Sequence, residues 1–260
     1  SNANLAHRGC NGKRVSDASL PTPVDDASVF RHEYSRGMVM DLNEAMRTTF
    51  AARQYTGEPL PDAVLYDILD NARFAPSGGN RQGNRVIIVR DQAVRNRIAD
   101  LMAPMVKRYM AQTKAGEAPF NTIVPTRLSA ADIDATPVSA AMTTALRTAS
   151  VLLVFTVDLK VVASMDQYLD RVGIVSGASI YPFVWNVLLG ARQAGFGGAL
   201  TTLAIAAEPA IKELLGIPAD FAVCALVPLG KPVKQLTRLR RRPVEELAVV
   251  ESFDGPSFRR

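Results

Sequence analysis

Histidine is nearly missing from this chain of 260 residues: His7 and His32 are the only two, and both precede the first segment with helical periodicity. A Ser-His-Asp or Cys-His arrangement, or a histidine-rich zinc site, in the main body of the chain would lack its imidazole. What remains is chemistry carried by a cofactor, by carboxylates or by lysine. Cysteine is equally scarce. Cys10 sits in a polar stretch and Cys224 inside the apolar run FAVCALVPLG, which argues against a disulfide framework and for a reducing compartment. No apolar run approaches the length of a membrane span, and the N-terminus lacks the basic-then-apolar order of a signal peptide, so a cytoplasmic location is expected. Charge of one sign is not in large excess: a net +5 suits an anionic ligand without arguing for nucleic acid.

What is present is apolar material, 48% of residues against 21% charged, enough for one large globular domain or two small ones. Ser1-Asn2-Ala3 reads as a remnant of tag cleavage. Residues 1–37 are polar, with little periodicity, and are expected to form a flexible N-terminal arm. Structure begins at DLNEAMRTTFAA, where Asp41 can cap a helix bearing Leu42, Ala45, Met46 and Thr49 on one side. After the extended RQYTGEPLP, Asp62 is placed to cap DAVLYDILDNARF, whose apolar residues recur at helical spacing. NRVIIVR reads as a buried strand, and Asp91 opens a third helix that Pro104 interrupts. Residues 114–137, with Gly116, Pro119, Pro125 and Pro137, form a long irregular segment of the kind used as a lid or a partner-wrapping excursion. SVLLVFTVD is a strand, and SGASIYPFVWNVLLGARQAG a long apolar helix ending at Gly195. FGGALTTL is a short strand or loop, AEPAIKELLG a helix with Pro209 in its first turn, and FAVCALVPLG a last buried strand. Alternating helices and strands place the chain among α/β or α+β folds. The tail from Lys231 has no core-like stripe of its own, so it is expected to run along the surface or onto another subunit.

The stretch ARFAPSGGNRQGNRVIIVRD carries more polar donors than a connection needs. Ser77, Gly78, Gly79, Asn80, Arg81 and Gln82 follow one another with little side-chain bulk, which lets something flat, polar or charged approach the backbone. Together with MRTTFAARQYTGEPLP, NVLLGARQAGFGGAL and IKELLGIPADFAVCALVPLGKP, in that order over about 200 residues, this block resembles the FMN-dependent nitroreductases.

The resemblance implies an α+β fold of three layers, α/β/α, with a mixed, mostly antiparallel sheet flanked by helices. It implies a homodimer with two FMN sites made from both chains, and ping-pong hydride transfer from NAD(P)H to a small acceptor such as a nitroaromatic, quinone or activated alkene. Residues 38–230 would be the FMN-binding domain and 231–260 an extension crossing to the partner. Ser77 and Asn80, with Gly78, Gly79 and Gln82, match the loop against the flavin. Arg53 matches a basic residue near the pyrimidine end, Gly197 and Gly198 the turn facing the reactive edge of the ring, and Arg241 the C-terminal arginine on the phosphate. No catalytic side chain and no metal are implied. Two departures stand out. The usual Arg-Arg-Ser triplet is replaced by Thr49-Phe50-Ala51, with Arg47 or Arg240 as available substitutes, and Gln-Pro-Trp by Gln82-Gly83-Asn84, which alters the pocket wall.

Each motif has a plainer reading. PSGGN is also an ordinary cap and turn, Arg53 a solvated cation, and Arg240-Arg241-Arg242 a solvated face or nucleic-acid patch. GFGGA lacks the third glycine of a dinucleotide fingerprint. Trp185 and Phe183 read as core residues. Alternatives are a flavoprotein of the same fold with other chemistry (flavin fragmentation, dehalogenation, azoline oxidation), a flavin-binding protein without turnover, and a basic nucleic-acid-binding module.

Overall fold

The apolar runs become the strands of one sheet. In a computed structural model that describes residues 40–260, β1 (Asn84–Val89), β2 (Val151–Asp158), β3 (Gly197–Gly198) and β4 (Phe221–Gly230) lie in the order β1-β2-β4-β3 with every ladder antiparallel. The expected N-terminal arm and tag remnant lie outside the described residues. Among the described residues, parallel pairing is limited to one bridge, Ala51 with Gly198. Around the sheet are α1 (Leu42–Thr48), α2 (Asp62–Ala72), α3 (Gln92–Leu101), α4 (Ala103–Lys114), α5 (Ala130–Asp134), α6 (Ala140–Thr148), α7 (Tyr181–Gln193) and α8 (Glu208–Leu215).

The central strand explains the three layers. Because successive side chains on a strand point to opposite faces, Val151, Leu153 and Phe155 of β2 meet α2 and α7 through Leu65, Ile68, Val184, Val187 and Leu188. Leu152 and Val154 meet Ile98, Met102, Val106, Leu146 and Ile211 on the other side. A strand covered on both faces reads as a continuous apolar run, as SVLLVFTVD does. In β4 the register shifts opposite Phe155 and Thr156, whose partners are Ala225 and Val223, so Cys224 is bulged out of the ladder. The bulge reverses the alternation. Val223 therefore packs in the second layer, whereas Ala225 packs in the first.

The helix signals hold with three corrections. Asp91 caps α3, its carboxylate accepting from Val94 N at 2.8 Å, and Pro104 sits in the first turn of α4 just after the break at Met102. Gly195, at φ +77°, follows the end of α7. Asp62, however, is the first residue of α2, not its cap; Pro61 holds the cap position, and the Asp62 carboxylate pairs with Arg90 instead. Trp185 is not core: it is 43% exposed, since α7 turns Val184, Val187, Leu188 and Ala191 to the sheet and leaves position 185 sideways. Leu42 and Met46 are likewise exposed on α1, where only Ala45 and Thr48 are buried. Phe183 does pack inward, edge-on to Phe155 at 5.7 Å.

Two surface excursions are closed by carboxylates. In the irregular segment after α4, Glu117 accepts from Thr126 Oγ1 at 2.5 Å and Arg127 N at 2.9 Å, and a capping box between Ser129 and Asp132 starts α5. Between β2 and α7, Asp166, only 3% exposed, accepts from Ile174 N and from Arg171, both at 2.7 Å. Those bonds hold its carboxyl at a pKa of about 2. No described helix is long and apolar enough to cross a membrane.

Candidate functional site

The linker after α1 runs as a strap over the end of β3 and β4. Ala52 N donates to Gly198 O at 3.0 Å, Thr56 N to Lys231 O at 2.9 Å, and Val233 N to Gln54 O at 3.0 Å. Tyr55 fastens it: its hydroxyl lies 2.8 Å from Ala52 O and 2.9 Å from Pro228 O, sharing one proton between them. The ring lies against Gly230, where an added Cβ would stand 2.8 Å from it, so only glycine allows this approach.

Held this way, Arg53 borders two hollows. The first, about 630 Å³, is walled by Phe50, Ala51, Ala52 and Leu236, with Gln54, Thr144 and Lys234 as its other polar groups. The second, about 310 Å³, is apolar, walled by residues such as Tyr109, Met142, Leu146, Leu200 and Leu203. Ala141 of α6 also belongs to both. Two adjoining volumes, one apolar and one cationic, share an arginine between them.

Gly197 and Gly198 lie beside this region, buried in β3 opposite Gly230 and Leu229, and border neither hollow. Packing accounts for Gly198, since a Cβ there would come within 2.5 Å of Leu229 Cδ2 and 2.6 Å of Pro228 O. The residues that do border the second hollow come next in the chain, Ala199, Leu200, Thr201 and Leu203. The glycine pair marks where the strand is squeezed, and the lining begins one residue later.

The Ser77 loop is a separate construction. Gly79, Asn80 and Gln82 take left-handed backbone conformations (φ 61°, 52° and 50°) around a short 3₁₀ turn, Gly78–Asn80. Ser77 closes the loop through its own atoms, with Asn80 N donating to Ser77 O at 2.8 Å and Gln82 N to Ser77 Oγ at 2.9 Å. Gly78 N donates to Ser179 Oγ at 2.9 Å, and the Asn84 carboxamide to Ser179 O at 2.9 Å. Gly83 passes under Val161, which a Cβ would meet at 2.6 Å. Ser77 and Gln82 border a third hollow of only about 120 Å³, with Phe183 and Asn84. Five of the expected site residues are therefore brought together here, and Arg53, Gly197 and Gly198 elsewhere. Arg241 joins neither group: it is exposed, its guanidinium bonded to Arg240 O at 2.7 Å.

The replaced triplet offers no free hydroxyl. Thr49 Oγ1 donates to Ala45 O at 2.7 Å and is buried; Thr48 Oγ1 donates to Glu44 O at 2.7 Å and accepts from Arg192 Nε at 3.0 Å. Lys234 supplies the second cation of the first hollow, a residue the sequence motifs passed over. Its signal was local: it follows the LGKP block by two positions, on the segment that pairs with the strap. Cys224 is no nucleophile, since burial pushes its thiol up to about 12. Among the described residues no cluster of His, Cys, Asp or Glu could hold a metal ion.

A model of the Nitroreductase family matches residues 46–231, most of the chain, including the strap after α1 and the Ser77 loop. The chain belongs to the nitroreductase family. "NADH dehydrogenase" of Thermus thermophilus is 27% identical over 213 residues, covering 81% of this chain and 96% of that protein. Among solved structures, oxidized iodotyrosine deiodinase bound to FMN and 3-iodo-L-tyrosine superimposes with a TM-score of 0.59 at 20% identity, over 82% of this chain and all of that one. The NADPH:FMN oxidoreductase of Vibrio harveyi complexed with NAD+ gives 0.59 at 18% identity, over 82% of this chain and 77% of that one. In this nitroreductase-family chain, the strap with its two hollows and the Ser77 loop are thus two distinct parts of one shared fold.

Proposed function

We propose that this chain is an FMN-dependent oxidoreductase. The observation that carries the reading is the pair of hollows meeting at Arg53. FMN combines an apolar tricycle, a polar pyrimidine edge, a polyol and a phosphate, and needs a flat apolar wall, short donors and cations. Leu200, Leu203 and Met142 supply such a wall, Gln54 and Thr144 the short polar groups, and Arg53 and Lys234 the cations. The residues present therefore fit the group. When bound, FMN supplies the redox chemistry, taking a hydride from NAD(P)H and passing it to a small acceptor such as a nitroaromatic, quinone or activated alkene.

The chain's own part is binding and orientation. Arg53 places a fixed positive charge where the two hollows join, favouring a cofactor whose pyrimidine end becomes anionic on reduction. Lys234, with Arg241 from the tail, holds the phosphate. The lining around Tyr109 offers an apolar face to the ring. No histidine follows His32, and no side chain is assigned to general acid or base work.

The second copy of the chain is the proposed source of Ser77, Gly78, Gly79, Asn80 and Gln82. Exposed Leu42 and Met46 on α1 and Trp185 on α7 provide apolar surface for such a homodimer. The test is a visible spectrum of the purified protein, identification of any chromophore released, and its size in solution. A yellow dimer that oxidises NAD(P)H with a quinone is expected. A colourless protein that takes up no added FMN overturns the reading. A yellow protein inert with every quinone points instead to deiodination, azoline oxidation, flavin fragmentation or plain flavin binding.

A further inference from the structure

The second hollow is apolar except where Arg53, Tyr109 and Thr201 border it, and no carboxylate joins them. These three are not equally available. Arg53 is assigned above to the pyrimidine end of the flavin. Thr201 Oγ1 lies toward its own backbone, accepting from Leu203 N at 3.5 Å. At Tyr109 the backbone O accepts from Thr113 Oγ1 at 2.8 Å, but the phenol hydroxyl has no partner among the described residues. In an otherwise apolar pocket, the few polar groups fix which way a ligand lies.

The phenol is also held in place. On α4, Met102 and Val106 pack into the same core layer as Leu146, Ala204 and Ile211, with Leu203 against it. Tyr109 follows buried Val106 by three residues and so stands beside that face of the helix. The flanking positions of α4 are taken by the irregular segment that follows it: Arg108 lies over the Phe120 ring at 5.4 Å, and Gln112 Oε1 accepts from Phe120 N at 3.1 Å. Tyr109 is thus built into the layer that carries the Leu200 and Leu203 wall, and borders the hollow from the other side of it.

Resting on the flavin reading above, we infer that the Tyr109 hydroxyl donates a hydrogen bond to the acceptor oxygen that turns negative as hydride arrives. Good acceptors are then those with such an oxygen: quinones, nitro compounds and alkenes conjugated to a carbonyl. In a quinone, with reduced FMN as the reductant, the hydride and its two electrons form one O–H bond. The opposite oxygen is left as a phenolate, and a proton from water completes the hydroquinone. A fixed donor aimed at developing charge in apolar surroundings stabilises it more than water does.

Tyr109→Phe tests this, because phenylalanine keeps the ring that lines the hollow and removes only the oxygen. The holoprotein is assayed with NAD(P)H and either menadione or ferricyanide, with FMN content measured throughout. Ferricyanide takes electrons without an oxygen that must turn negative. The ratio of menadione to ferricyanide turnover should fall about 10- to 100-fold in the variant. That is less than a fully enclosed donor gives, since Tyr109 is 38% exposed and water replaces part of it. The second readout needs no turnover: para-nitrophenolate, whose visible band reports hydrogen bonding to its oxygen, is titrated into the oxidised protein without NAD(P)H. The band should move to shorter wavelength in wild type, and the variant should bind about tenfold more weakly with a smaller shift. A colourless protein that still moves the band through Tyr109 keeps the donor assignment, and the flavin reading alone fails. A turnover ratio equal in the two proteins, or a band that moves equally in both, overturns the inference.

Discussion

Tyr55→Phe tests whether the strap that carries Arg53 is fastened as described. The ring keeps its place against Gly230, so the substitution removes one oxygen and little packing. Ala52 O and Pro228 O, both on buried residues, lose their shared donor. Leaving a buried acceptor without a partner costs about 1–2 kcal/mol. For a folded region of this size each kcal/mol moves Tm by about 2–4 °C, so a fall of about 2–8 °C is expected at pH 7. The difference should also depend on pH. Burial raises the Tyr55 pKa far above the ordinary phenol value, against the opposing charge of Arg53. The folded protein then keeps the phenol neutral while the unfolded chain ionises near pH 10, so Tyr55 contributes stability that is complete below pH 10 and lost above it. The loss approaches about 1.4 kcal/mol per pH unit. Phenylalanine has nothing to ionise, and every other titrating group is common to both proteins. The two urea-unfolding curves should therefore converge, meeting about one unit above pH 10. A gap that stays constant from neutral pH to about pH 11 would refute the buried, hydrogen-bonded phenol.

Three further outcomes follow from the same geometry. Gly198→Ala places a methyl 2.6 Å from the Pro228 carbonyl, a backbone atom that no rotamer change can move, and should destabilise by about 1–3 kcal/mol in thermal melts; an unchanged Tm refutes the close approach of β3 and β4. Asp166, its carboxyl held at about 2 chiefly by the Ile174 N–H and then by Arg171, contributes stability present above its unfolded pKa and lost as pH falls from about 4 to about 2. Pepsin should then cut the segment between β2 and α7 in that window, whereas Asp166→Asn should open it at neutral pH; equal resistance in both proteins refutes the staple. Lys234→Ala should weaken FMN about tenfold in a fluorescence titration, one charged contact removed from the first hollow; an unchanged Kd refutes its assignment.

Local chemistry was legible in the sequence, and long-range chemistry was not. Val151–Asp158 and Phe221–Gly230 announced themselves because a strand covered on both faces must be apolar throughout. Asp91 fixed a helix end through the bond it accepts from Val94 N, and Pro104 through the N–H it lacks, both local effects. The bulge at Cys224 left no local mark, since it exists only relative to Phe155 and Thr156 on another strand. Ala141 and Thr144 are ordinary helical residues that border the first hollow only because α6 passes beside the strap. Thr49 could have been a ligand by type, but its hydroxyl turns back to Ala45 in the preceding helical turn. Gly197 and Gly198 precede the lining that begins at Ala199, and the reason for glycine at 198 lies in β4.

The shape of the Ser77 loop bears on what completes the site. A helix and a strand can be joined by a simple turn, yet this connection holds Gly79, Asn80 and Gln82 at positive φ within four residues. Asn tolerates that region; Gln82 does so at a cost of about 1–3 kcal/mol, offset by the Ser77 and Ser179 bonds that pin the loop from both sides. Strain so firmly held implies a use other than connection. The loop's own hollow, about 120 Å³, falls well short of the roughly 300 Å³ at which ligand pockets begin. The hollow of about 630 Å³ lies at Arg53, bordered by none of the loop's residues. In the homodimer proposed above, the second copy sets its loop against the first copy's strap, and that proposal accounts for both the strained backbone and the absence of the loop's donors from the lining that the cationic hollow takes from its own chain. A monomer that binds FMN stoichiometrically is incompatible with that arrangement.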